Sequence, residues 1–469
     1  MHILSKSSYI KGLQCEKALY LQKKQPYLRD RLSAEQRAKF KRGTEVGVLA
    51  RSCYPGGIDM TPRNLKDLSQ KVEETMLNIN NPDVKVMYEA VFQYEDTLIM
   101  LDILVRDDVG WQAIEVKSSL SLSETYYNDA ALQYYVLKGL KLPITDFKLM
   151  YLNRDYVKDG EIDVRQLFKT ESVIKDAEAR NSFVTSNVVR LKDVTNMSSS
   201  PLVKIGIQCH RPYDCDFIGH CWKLIPDNSY LYMTAFPDAK LFSYYFEDNY
   251  SNAALLRKLE EGSEARAQLE ALEANTYYVD FKTLFSMSPT PRPRRIAFLN
   301  LLFYRSAVPE IDGYRPYQEI LLAFSIHGHK DDEEESFLWN CMDDHRRWEE
   351  SMQILSQKLS EYDLVVYFSP DSIEVLMRKL CAVNLRNLGH KLFNLYEVLK
   401  GASFYHKSIK GGFSLRNVGA ALFSGKILFE HEKVLENALS EDQEARQQAM
   451  DCLGYENEMI KNIYQKFFR

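Results

Sequence analysis

Long apolar runs are missing from this chain of 469 residues. No stretch approaches the roughly 18 consecutive apolar residues that would suggest a membrane span, so no membrane partner is expected. The opening "MHILSKSSYIKG" lacks the apolar stretch and small-residue cleavage site of a secretory leader, which makes a cytoplasmic location the expectation. Internal repeats and low-complexity tracts are also missing, and solenoid architectures go with them. Cysteine is sparse, eight residues in all, too few for a disulfide scaffold at this length. Nor is there a strong excess of one charge. A net charge of -5 exerts no global pull on nucleic acid, so phosphate contacts would have to come from local Lys and Arg clusters. What remains is an ordinary globular composition, 45% hydrophobic and 27% charged, in a chain too long for one core.

The patterning implies an α/β architecture. "LSAEQRAKFKRGTEVGVLARSCYPGG" has helical spacing up to about Arg51, where a Gly-Gly pair stops it, and "RNLKDLSQKVEETMLNI" is a second helix. "VKVMYEAVFQYEDTLIMLDILVRDDVGWQAIEVKSS" alternates in two-residue steps with turn signals at "YEDT" and "RDDVG", which predicts three strands in a meander. A helix over "SETYYNDAALQYYVLKGL" and a strand over "DFKLMYLN" follow. Farther on, "AALLRKLEEGSEARAQLEALEA" reads as a charged helical connector, and "TYYVDFKTLF" as a strand opening a second α/β domain. The expected domains are 1–225, a connector over 226–274, and 275–469.

The chemistry concentrates at "EVK". On a strand Glu115 and Lys117 share a face. Asp102 sits in the apolar run "LIMLDILV", where a carboxylate is costly to bury without a positive partner. Magnesium or manganese suits such a pair, since these hard cations take a few carboxylate oxygens and keep several waters. A nearby Lys can stabilise charge that develops on a phosphate. The plainer reading of an acid followed by Glu-x-Lys is an exposed ion pair at a strand edge.

The layout of Asp102, a turn, then Glu115 and Lys117 resembles the PD-(D/E)XK nuclease fold, with the "PD" element reduced to "LD". Gln133 and Tyr135 in "ALQYYVL" and Glu89 in "YEAVF" are similar to the RecB-like branch, which includes the CRISPR-associated exonucleases. That resemblance implies metal ligation by Asp102 and Glu115, assistance to the attacking water by Lys117, and orientation of the site or strand by Gln133 and Tyr135. The branch carries a His where this chain has Gly47, so Glu45 is a candidate replacement ligand, or else a solvated helix carboxylate.

Cys209, Cys215 and Cys221 follow one another at C-x5-C-x5-C, and Cys15 stands near the start in "SYIKGLQCEKALYL". One early and three late cysteines resemble the iron–sulfur members of the RecB-like group, which implies a [4Fe-4S] cluster fastening the ends of the domain. Zinc on the same thiolates, with His210 or His220 able to replace one, is the alternative, and buried free cysteine is a third. Cys53, Cys341, Cys381 and Cys452 have no partner spacing and are expected in cores.

"YYVDFKTLF" resembles the opening strand of a DEDD-type exonuclease of the RNase H-like fold, except that Lys282 takes the Glu position after Asp280. With "GYRPYQEILLAFSIH", "DLVVYFSPDSIE", "HRPYDCDFIGHC" and "YENEMIKNIY", the chain resembles a bacterial family of uncharacterised proteins that fuse the two folds. Further acids are expected near Asn394 and Glu456, with Asp371 or Glu374 as replacements. A Lys ammonium competes with a cation, so this domain is expected to be degenerate. "PTPRPRRIAF" and "HKSIKGG" with Arg416 are candidate phosphate-tracking clusters, and the 29 Tyr leave scope for base stacking. The function expected from the resemblance is a metal-dependent DNA nuclease acting on single-stranded ends, in defence against foreign DNA or in repair. The alternative is a nucleic-acid-binding subunit, weak or inactive in catalysis, whose C-terminal domain docks nucleic acid or a protein partner.

Overall fold

The computed structural model describes residues 3–248, 251–290, 293–330, 333–371, 389–423 and 431–468. Glu374, Cys381 and Arg292 lie outside these ranges. The fold is α/β and divides into two units, Met1–Leu224 with Ser306–Gln318, and Ile225–Arg305 with Glu319–Arg469. Residues 226–274 thus group with the second unit. Among the described residues no helix is long and apolar enough to cross a membrane.

In the first unit, strands β1 (Leu4–Ser5), β2 (Ile58–Asp59), β3 (Val86–Tyr94), β4 (Thr97–Arg106), β5 (Trp111–Lys117), β6 (Ile144–Leu152) and β7 (Phe168–Ser172) build one mixed sheet. Its order is β2-β3-β4-β5-β6-β7, and β1 joins β4 in parallel. The alternating segment forms β3, β4 and β5 as an antiparallel meander. Helices α1 (Lys6–Gln14), α2 (Glu16–Lys24), α3 (Ala34–Ala50), α4 (Leu68–Asn80) and α5 (Glu124–Gly139) accompany it. Ser33 opens α3 with a reciprocal capping box to Gln36. α5 connects β5 to its parallel neighbour β6, as a parallel pair requires.

Successive residues of the central strands face opposite ways and meet different helices. Leu104, Ala113 and Leu149 pack with Ala131, Leu132 and Val136 of α5. Ile103, Ile114 and Met150 pack with Val46 and Ala50 of α3. Each buried side chain of Leu or Ile size contributes about 1.5–3 kcal/mol. The sheet is therefore fixed from both faces, and the end of β5 is held against α5 with little freedom.

The second unit contains β8 (Ile296–Arg305), β9 (Glu319–Lys330), β10 (Glu333–Asn340), β11 (Leu364–Tyr367) and β12 (Leu392–Asn394) in the order β10-β9-β8-β11-β12. The pairs β8–β9 and β9–β10 are antiparallel, and β8–β11 and β11–β12 are parallel. The strand that opens this sheet is thus "IAFLNLLFYR". The segment "TYYVDFKTLF" instead makes an isolated bridge at Tyr278 and then the short helix Phe281–Ser286. Asp280 explains the difference. Its carboxylate accepts from the Lys282 and Thr283 amides, an N-cap that starts a helix where the β-forming residues pointed to a strand. The C-terminal helix Gln443–Phe468 buries Leu453, Ile460 and Ile463.

Candidate active site and cysteine cavity

Strand register brings three carboxylates level. In the β3–β4 ladder Tyr88 faces Ile103 and Ala90 faces Leu101, so Glu89 stands opposite Asp102. In the β4–β5 ladder Ile103 faces Ile114, and one further step brings Asp102 level with Glu115. Like charges opposite one another on a sheet are unfavourable without cations. Asp102 accepts from the Val116 amide at 2.6 Å. Glu89 adopts a left-handed backbone (φ 50°), a strained conformation for a non-glycine residue, and its carboxylate is held by Arg51 at 3.0 Å.

Glu115 is the hub. Its side chain is 2% exposed, and Oε1 accepts from Lys117 at 2.6 Å and from Lys6 at 2.7 Å, while Oε2 accepts from the Gln133 amide at 2.8 Å. Lys117 also pairs with Asp129, and its Nζ lies 5.2 Å from the Tyr126 ring centre. Lys6 approaches Asp129 at 3.8 Å. Asp129 Oδ1 and Gln133 Oε1 are buried with no hydrogen-bond partner. Tyr317 donates to the Ser118 carbonyl and so ties down the chain just beyond β5.

Burial raises Asp102, and the neighbouring Glu115 carboxylate reinforces it, to about 8. Burial acts on Glu115 in the same direction, but Lys117 and Lys6 outweigh it and hold this carboxyl well below the usual range. For the two lysines burial works to lower the pKa, and the surrounding carboxylates overcome it, so both are raised. Lys117 is therefore a fixed cation at neutral pH. It can stabilise negative charge but cannot take a proton.

Among the expected residues, Asp102, Glu115, Lys117 and Gln133 come together. Tyr135 does not join them; its ring meets Tyr94 edge-on at 5.7 Å. Glu45 is 60% exposed and pairs one turn back with Lys41 at 3.9 Å. No described hydrogen bond or ion pair joins it to Asp102 or Glu115. Lys6, Asp129 and Tyr126 are site residues that the motif reading missed. Asp129 was within reach, because it lies one turn before Gln133 on α5 and so shares its face.

The four cysteines line one cavity, together with Ala18, Ile205, Phe217 and Ile218. All four are free thiols. Burial pushes Cys15 and Cys221 up, and takes Cys215 up to about 12, so a bound metal would have to draw off the protons. The late loop is tied to the N-terminal helices by other bonds as well. Gln14 donates to the carbonyls of Gln208 at 2.8 Å and Tyr213 at 2.7 Å, Arg29 pairs with Asp216 at 2.9 Å, and Lys11 pairs with the same carboxylate. In kind and number the thiols suit a four-thiolate centre. Among the described residues no group of three or more His, Cys, Asp or Glu side chains is already arranged to hold a metal ion, so side chains would have to turn at either place. Cys53 is half-buried, and Cys341 and Cys452 are buried.

In the second unit Asp280 and Asn394, two of the expected acidic positions, serve the backbone. Asp280 caps its helix. Asn394 accepts from Tyr396 N at 3.1 Å and donates to the carbonyls of Ser369 at 2.9 Å and Asp371 at 3.1 Å. Those donations need an amide; a carboxylate has no proton to give. Glu456 accepts from Asn300 of β8 at 2.8 Å, and burial raises its pKa. A carboxyl favoured in its protonated form by folding costs stability as pH climbs from its unfolded value of about 4.3 through the raised folded value. Glu456→Gln keeps an acceptor for Asn300. It is expected to stabilise the protein at pH 8 and to change nothing near pH 3.5, as read by urea unfolding at the two pH values. A gain at pH 3.5 as large as at pH 8 would remove the ionisation explanation.

A family model described as a domain of unknown function (DUF2779) matches residues 303–414, from within β8 past the helix Leu395–Gly401. No curated protein matches the chain.

Proposed function

We propose that the first unit is a divalent-metal-dependent nuclease of the PD-(D/E)XK type, of the RecB-like branch, that hydrolyses phosphodiester bonds in DNA, with single-stranded ends as the favoured substrate. The observation that carries this reading is the row of Glu89, Asp102 and Glu115 across three strands, with Lys117 beside Glu115 on the same face. Asp102 and Glu115 would hold magnesium or manganese, and the buried acceptors Asp129 Oδ1 and Gln133 Oε1 offer further oxygens to a cation or its water. When bound, the cation supplies Lewis acidity toward a phosphate oxygen and acidifies a bound water. The chain's own residues do the rest. Gln133 orients Glu115 through its amide. The Lys117 ammonium, fixed between Glu115 and Asp129, faces the charge that grows on the phosphate as water adds.

Cys15, Cys209, Cys215 and Cys221 would hold a [4Fe-4S] cluster, with zinc as the alternative, in a fastening role. For the second unit we favour a degenerate RNase H-like domain that binds nucleic acid or a partner protein, because Asp280 and Asn394 are committed to backbone bonds. A role in defence against foreign DNA or in repair would follow from the family resemblance.

The test is incubation of the full-length protein with end-labelled single- and double-stranded DNA and RNA, in manganese or in EDTA. Cleavage of single-stranded DNA in manganese, absent in EDTA, is the expected result. Binding without cleavage under every condition would replace this reading with that of a nucleic-acid-binding subunit.

A further inference from the structure

We propose that Lys6 is a second cationic residue of the cleavage site, which competes with the divalent cation for Glu115 and thereby sets how tightly the site holds metal; this rests on the nuclease reading above. A carboxylate oxygen has about two lone-pair positions. Glu115 Oε1 gives one to Lys117 and one to Lys6, and Oε2 gives one of its own to Gln133. A cation that binds through Oε1 therefore needs one ammonium to release it.

Lys6 is the one placed to move. Lys117 is additionally clamped by Asp129 and the Tyr126 ring and is 14% exposed, whereas Lys6 is 27% exposed and its contact with Asp129 is loose, at 3.8 Å. It also begins α1, where Ser5 caps the helix, so its long side chain leaves a fixed backbone anchor. Released from Glu115, its ammonium stays within a side chain's reach of the carboxylates and is free to meet a substrate phosphate. Lys6 thus opposes metal binding and favours the anionic substrate, two effects with opposite signs on removal.

Those signs make the test. Manganese is titrated into the full-length wild type, Lys6→Met and Lys6→Arg without DNA, with the free ion followed by its electron paramagnetic resonance signal. Removing one positive charge a few ångströms from the cation is expected to tighten binding about tenfold in Lys6→Met. Lys6→Arg keeps the charge and should bind as the wild type does. Cleavage at saturating manganese should fall in Lys6→Met despite the tighter binding. If Lys6→Met does not fold by circular dichroism, Lys6→Gln reads the same quantity. Unchanged or weaker manganese binding in the neutral variant, beside a wild type that binds manganese and cuts DNA, would overturn the proposal and leave the nuclease reading intact. A wild type that neither binds manganese nor cuts would defeat the nuclease reading itself.

Discussion

Glu115→Gln is expected to lower manganese-dependent DNA cleavage by roughly 10²–10³-fold, the loss typical when one preorganised electrostatic group is removed from a reacting centre. The change is nearly isosteric, so little packing is lost. Its effect comes from charge. Glu115 is the anion on which Lys6, Lys117 and Gln133 converge, and an amide there can satisfy fewer of those donors. Two ammoniums then lean on Asp129 and, more weakly, on Asp102, and manganese loses a charged ligand. Removing one partner of a buried ion pair costs about 3–5 kcal/mol; Asp129 and the partial exposure of both ammoniums keep the loss at the lower end, so the protein should stay folded with a lower melting temperature. Activity measured well below that temperature separates the two effects. Cleavage that survives in Glu115→Gln at near the wild-type rate would remove the first unit from the chemistry and turn attention to the second.

The strand carrying Glu115 and Lys117 was readable because one face is polar at its end and alternation is then strict. Its partners were readable only in part. Gln133 and Asp129 share a helix face by simple periodicity, yet nothing in the local pattern distinguishes Tyr135, which turns toward Tyr94, from a residue that faces the sheet. Lys6 reaches Glu115 across a separation of 109 residues, and its contact comes from the docking of α1, which no local pattern encodes. In the second unit β8 escaped for the opposite reason. "IAFLNLLFYR" is buried along much of its length and reads as a continuous apolar run without alternation. "TYYVDFKTLF" misled because Tyr, Val and Phe favour strands, while the single capping carboxylate of Asp280 decides the outcome.

Cys15→Ser is expected to cause the largest loss of stability. If the four cysteines hold a shared centre, removal of one ligand releases its iron. The full-length protein, brown with broad visible absorbance as the wild type, becomes colourless. A centre of this kind joins Cys15, between α1 and α2, to Cys209, Cys215 and Cys221 in the late loop, residues about two hundred positions apart. Its loss leaves the loop to the polar ties through Gln14, Arg29, Lys11 and Asp30 and to the buried Phe217 ring. A cost of about 3–5 kcal/mol, comparable to loss of a structural cross-link, corresponds to a fall in melting temperature on the order of 10 °C for a unit of this size. Cleavage should suffer too, by a path the geometry makes explicit: α1 begins at Lys6 beside Glu115 and ends against Cys15, so an unanchored C-terminal end loosens the ammonium at the other. Cys53→Ser, whose thiol donates to the Val164 carbonyl at 3.5 Å and packs at the edge of the apolar cluster beside α3, away from the other four cysteines, is expected to keep colour and cleavage and to lose little stability. A colourless wild type containing one zinc per chain would change the metal and keep the cross-link. Melting unchanged in Cys15→Ser, with no metal in the wild type, would reduce the four thiols to ordinary lining of an apolar cavity.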